Sequence, residues 1–84
     1  MAENSLNNEI LAEIANLSEK IEVNPTCADL YYQRGRLYWK LGRTGAAMSD
    51  YEQAGAIDPD SPAVEAMRIS RDIMNFYNTD LYNP

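Results

Sequence analysis

The side chains that most often carry catalysis are scarce in this sequence. Its 84 residues contain no histidine, so the usual general base at neutral pH is missing. The one cysteine, Cys27, has no imidazole to activate it and falls in the first turn of a helix-forming segment. It reads as a small, inert or half-exposed thiol. Alone, it makes neither an internal disulfide nor a structural zinc site. Carboxylates come in pairs, Glu9 with Glu13, Glu19 with Glu22 and Asp58 with Asp60. On the helices and turns of an acidic chain such pairs are solvated faces, and Asp58-Pro59-Asp60-Ser61 lacks the oxygen spacing of a calcium loop. No glycine-rich phosphate cradle is present. The expectation is a chain that is not an enzyme, with no cofactor and no metal.

The charge balance narrows the partners. Seven Lys and Arg face thirteen Asp and Glu, a formal charge of −6. Nucleic acids and acidic membranes require a basic stripe, so neither is expected. The segment Met1-Ala2-Glu3-Asn4-Ser5 carries acid where a signal peptide carries base. No apolar run approaches the ~20 residues of a membrane span. A cytoplasmic location is the expectation.

Four helices must position whatever function remains. Leu6, Ile10, Ile14, Leu17 and Ile21 recur at three- and four-residue steps and make one apolar stripe. That helix should end near Val23, because Asn24 precedes Pro25. Thr26, with Asp29 three residues on, resembles a capping box. Leu30, Leu37 and Leu41, with Tyr31 and Tyr38, form a second amphipathic stretch that Gly42 stops. Thr44 is the expected cap of a third helix, carrying Ala47, Met48, Tyr51, Ala54 and Ile57. Ser61-Pro62 is a strong start signal for the fourth, a capping hydroxyl before proline. That helix shows Ala66, Ile69, Ile73 and Phe76 on one stripe, and Asn78-Thr79-Asp80 is expected to break it. The reading is an all-α chain with helices over roughly residues 5–23, 27–41, 44–57 and 61–77.

The chain also repeats. Val23-Asn24-Pro25 recurs as Ile57-Asp58-Pro59, and the same offset pairs Ile14 with Met48, Leu17 with Tyr51, Leu30 with Val64 and Arg34 with Arg68. Within residues 28–61, Tyr31, Gly35, Tyr38, Leu41-Gly42, Ala47, Tyr51, Ala54 and Pro59 stand in a pattern that resembles one tetratricopeptide repeat. Arg34 departs from it, at a place where that family often has leucine. The resemblance implies an antiparallel helix-turn-helix unit of a superhelical repeat within a single domain. Residues 5–25 then resemble the second helix of a preceding repeat, with Glu13 and Lys20 where small residues are expected. Residues 62–77 resemble a capping first helix, with Ile69 in place of the glycine, and residues 78–84 form a tail. The ending is similar to the tails of some short bacterial proteins of this type. Independently of the resemblance, Gly35 and Ala47 allow a close helix crossing, with Tyr31, Tyr38 and Tyr51 filling the space around it.

The resemblance further implies a role in protein–protein interaction. With Leu30, Tyr31, Arg34, Leu37, Tyr38 and Leu41 on the packed side of the second helix, Asp29, Tyr32, Gln33, Arg36, Trp39 and Lys40 project onto the concave side, where the family binds extended peptides. A Tyr–Arg–Trp cluster has the composition of a binding hot spot. Tyr32 and Trp39 would anchor, and Arg36 and Lys40 would meet acidic or carbonyl groups. The family's C-terminal carboxylate clamp is not expected, because Tyr32 and Arg36 occupy the places of its Lys and Asn. A protein or peptide partner is thus implied. Two alternatives stand beside it: a homodimer whose groove is filled by its own tail or protomer, and a regulatory subunit of an enzyme assembly.

Overall fold

A computed structural model describes the backbone of residues 2–82 and the side chains of residues 5–76. Four helices follow one another: α1 (Ala2–Val23), α2 (Ala28–Lys40), α3 (Thr44–Ile57) and α4 (Pro62–Tyr82). Each packs on its neighbours in the chain, α2 on α3 most extensively. They lie side by side in a thin slab of 47 × 40 × 16 Å.

The turns follow from local chemistry. At the end of α2, Gly42 adopts φ +78°. Its amide donates to the Trp39 carbonyl at 3.0 Å, and the Arg43 amide donates to the Tyr38 carbonyl at 2.9 Å. This is the paired arrangement that closes a helix on a left-handed glycine. At the start of α4, the Ala63 amide donates to Ser61 Oγ at 3.1 Å, and Pro62 occupies the first helical position, where no amide is needed. Just before it, the Asp60 amide donates to Asp58 Oδ1 at 2.9 Å, fixing the turn that contains Pro59.

Two expected caps and two expected ends differ. Cys27 and Arg43, not Thr26 and Thr44, sit at the cap positions of α2 and α3, and neither makes a side-chain cap bond. Thr44 is itself the first residue of α3. Helix α1 begins at Ala2 rather than near residue 5, and α4 runs through Asn78-Thr79-Asp80 to Tyr82. Neither stretch contains glycine, and the only proline near them is Pro84; moderate helix formers cost at most about 0.7 kcal/mol each against alanine. The side chains of the expected tail lie outside the described residues.

The core is a seam of small against large. Ala47, Ala54 and Ala63 are fully buried and Tyr51 is 3% exposed. Tyr31, Tyr32, Tyr38, Trp39 and Met67 pack around them. Gly35 is buried in the same seam: a Cβ there would stand 2.8 Å from the Tyr51 ring and 3.2 Å from the Ala47 carbonyl. The close crossing of α2 and α3 therefore requires glycine at this position. Pro59 is exposed and contributes to the turn rather than to the seam. On the other side of α2, α1 turns in Ile14, Leu17 and Ile21, all buried.

Candidate functional site

Helix α2 lies between α1 and α3, and Arg34 ties the three together. Its Nε and Nη2 donate to Asp50 Oδ2 and Oδ1 of α3 at 2.8 and 2.7 Å. Its Nη1 donates to Ser18 Oγ of α1 at 3.0 Å, and Ser18 donates on to the Ile14 carbonyl. The guanidinium stands 5.8 Å from the Tyr31 ring and 5.9 Å from the Tyr38 ring. The hydrogen bond to Asp50 holds Arg34 even further above its ordinary proton affinity. A two-pronged pair of this kind fixes orientation as well as charge. Arg34 thus replaces an apolar contact by a polar rivet with every arm occupied.

The six residues expected to face a partner divide into two groups. Tyr32 and Trp39 are half-buried and pack against the α2–α3 core. Tyr32 leans on Tyr51 with ring centroids 6.1 Å apart, and burial raises the pKa of the Tyr51 phenol. Their rings cover the small residues of the seam, so Tyr32 and Trp39 present only part of their surface to a partner. Asp29, exposed at the start of α2, accepts a hydrogen bond from Gln33 Nε2. Arg36 is exposed and sits 5.8 Å above the Tyr32 ring.

Gln33, Arg36 and Lys40 instead line a cleft of about 350 Å³ between α1 and α2, facing Glu13, Asn16 and Lys20, with Leu17 and Leu37 also in its walls. A second hollow, of about 460 Å³, shares Asn16 and Lys20, adds Glu19, and continues to Val23, Asn24 and Leu30. Together they make one trough along the seam, and residues 13–23 span about 15 Å of helix. Lys20, Arg36 and Lys40 are three of the chain's seven basic residues. Among the described residues, ion pairs involve only Arg34 and Arg68. The trough therefore gathers three cations beside Glu13 and Glu19, a net positive site (three positive, two negative) on an acidic molecule, where excess positive charge raises the local concentration of anions.

Lys20, Asn16 and Leu17 were missed as site residues in the sequence. The signal was present in the repeat offset, which sets Glu13, Asn16 and Lys20 against Ala47, Asp50 and Ala54. Where α3 turns alanines to its partner helix, α1 turns polar groups. The trough opens on that face of α1.

Among the described residues, no group of histidine, cysteine or acidic side chains could hold a metal, and no helix is long and apolar enough to cross a membrane. The architecture is that of an all-α helical-repeat protein. Residues 28–61, which hold α2, α3 and the closing turn, match the tetratricopeptide repeat family, so the chain carries one tetratricopeptide repeat. The flanking helices α1 and α4 lie outside that match. No curated protein and no solved structure matches the chain. A repeat of this kind generally mediates protein–protein interaction.

Proposed function

We propose that the protein is a non-enzymatic interaction module that holds a segment of a partner protein in the α1–α2 trough. Acidic side chains of the segment would meet Lys20, Arg36 and Lys40, and apolar ones would rest on the partly exposed Leu37. The observation that carries this reading is the convergence on one trough of Lys20, Arg36 and Lys40, none of which is in an ion pair among the described residues. Gln33 adds an amide at the rim. Tyr32 supports the site from behind by holding the Arg36 guanidinium over its ring, a contact worth about 0.5–1 kcal/mol at an exposed position.

Selection from a displayed peptide library tests the reading directly. The wild-type chain is expected to enrich peptides that mix Asp or Glu with large apolar residues. Arg36→Glu/Lys40→Glu should fold equally well by circular dichroism and lose those peptides by at least tenfold in affinity. Peptides that bind both proteins alike, or an enrichment without acidic residues, would remove the trough from the function.

A further inference from the structure

The two hollows of the trough differ in chemistry. The cleft holds Lys20, Arg36 and Lys40 against Glu13, a sum of +2 (three positive, one negative). The hollow nearer the turn between α1 and α2 holds Lys20 against Glu19, a sum of zero (one positive, one negative), beside Val23 and Leu30. Val23, the last residue of α1, is 87% exposed, and Leu30 is half-buried. In the cleft Leu17 is buried and Leu37 half-buried. Open apolar surface is therefore concentrated at the turn end, and excess positive charge at the far end.

Two side-chain amides lie between these ends. Asn16 lines both hollows and Gln33 the cleft. Each amide can donate and accept; Asn16 is exposed, and Gln33 keeps an oxygen that its bond to Asp29 does not use. Such groups suit the backbone of an extended segment, whereas a helix satisfies its own amides and carbonyls.

We infer that the trough reads an extended five-residue stretch with a large apolar residue at one end and an acidic residue four positions away. The inference rests on the trough being the interaction site, and it names the spacing of the groups recognised there. Val23 and Leu30 take the apolar side chain, and Arg36 and Lys40 take the carboxylate. Along α2, Arg36 and Lys40 stand six and ten residues beyond Leu30, about 9 and 15 Å of helix. An extended chain advances about 3.3 Å per residue and turns alternate side chains to one face. The fourth residue from the anchor thus lies about 13 Å away, on the anchor's own face and between the two cations. In a helix four residues cover only about 6 Å, and reaching the cations takes about seven or eight. The two ends differ in side-chain chemistry, so the acid can come before or after the anchor.

NMR titration of the full chain with short synthetic peptides tests this. Each peptide carries one leucine and one glutamate in a serine–glycine background, at spacings from one to eight and in both orders. Affinity should peak at a spacing of four in at least one order. Replacing the leucine by serine should weaken binding about tenfold, the factor that burying roughly half of a leucine side chain supplies. Val23→Asp should erase the preference for leucine over serine and keep that for glutamate. Arg36→Glu/Lys40→Glu should do the reverse, favouring lysine over glutamate at the acidic position. All three positions are exposed, and an unchanged circular dichroism spectrum confirms the fold. A peak at seven or eight, which would mean a helical occupant, would overturn the inference. Affinity that ignores spacing, or a Val23→Asp chain that still prefers leucine, would overturn it too. In each of those cases a continued need for Arg36 and Lys40 leaves the functional reading standing. A wild type that binds none of the peptides sinks the spacing rule, and binding that survives Arg36→Glu/Lys40→Glu unchanged sinks both.

Discussion

Replacing Arg34 and Asp50, singly and together, should show that the pair matters as a pair. Asp50 is 5% exposed, and the two side chains are 20% and 7% exposed, so little water is at hand to replace a lost partner. Arg34→Leu leaves the Asp50 carboxylate buried and unpaired, which costs about 3–5 kcal/mol. Asp50→Ala leaves Arg34 its Ser18 bond and a route to solvent, so a loss of about 2–3 kcal/mol is expected, the scale of charged hydrogen bonds. In the double variant neither charge remains buried, and a net cost near 1 kcal/mol is expected because a buried ion pair contributes little over an apolar replacement. The double variant should therefore be more stable than the sum of the singles by about 4–7 kcal/mol, beyond the usual range of couplings between contacting residues. A domain of this length has only ~4–13 kcal/mol in all, and Arg34→Leu alone should lower Tm by roughly 12–40 °C. Urea denaturation followed by circular dichroism gives all four corners of the cycle. Additivity within about 0.5 kcal/mol would refute the argument, because it would mean the two groups find equivalent partners separately.

The remaining predictions concern backbone and burial. Gly35→Ala should destabilise by up to about 2 kcal/mol: overpacking against Tyr51 and the Ala47 carbonyl costs about 1–3 kcal/mol, set against a gain in helix propensity of about 1. Gly45→Ala meets nothing within 4 Å and should stabilise by about 0.5 kcal/mol in the same denaturation assay; a loss there would contradict the open space. Ser61→Ala removes the acceptor for the Ala63 amide and should cost about 1 kcal/mol, whereas no change would mean the Asp58 turn suffices by itself. The Tyr51 phenol, its pKa raised by burial, should ionise above the ordinary tyrosine value in an alkaline absorbance titration. Its neutral form is favoured in the fold, so the contribution to stability is complete below the ordinary tyrosine value near 10 and is lost as pH rises above it. Tyr51→Phe should remove this step, and a titration curve unchanged by the substitution would refute the assignment.

Much of the architecture is written in local chemistry. Asn24-Pro25, Leu41-Gly42, Asp58-Pro59 and Ser61-Pro62 end or start helices through the geometry of a few neighbouring atoms. That geometry is the same in any context, so the four helices, the repeat and the glycine crossing at Gly35 could be read before any coordinates. The weaker signals misled. Thr26 and Thr44 are good caps in isolation, yet the chain places each one residue away from the cap position. Asn78-Thr79-Asp80 looked like a break, but without glycine or proline the helix continues.

What the tertiary structure alone decided is which neighbour each side chain meets. Periodicity assigns Tyr32, Arg36 and Trp39 to one broad side of α2, but α2 has a helix on either flank, and the crossing angles divide that side between them. Tyr32 and Trp39 go to the α3 seam, while Arg36 joins Lys20 across the trough, sixteen residues away in the chain. Arg34 carried the same ambiguity: its sequence position shows a cation where a leucine is usual, and only the approach of α1 and α3 reveals the carboxylate and hydroxyl that hold it. Local rules act over a few bonds and so survive in one dimension. Partnership depends on the distances between helices, which arise when all the apolar faces are buried at once.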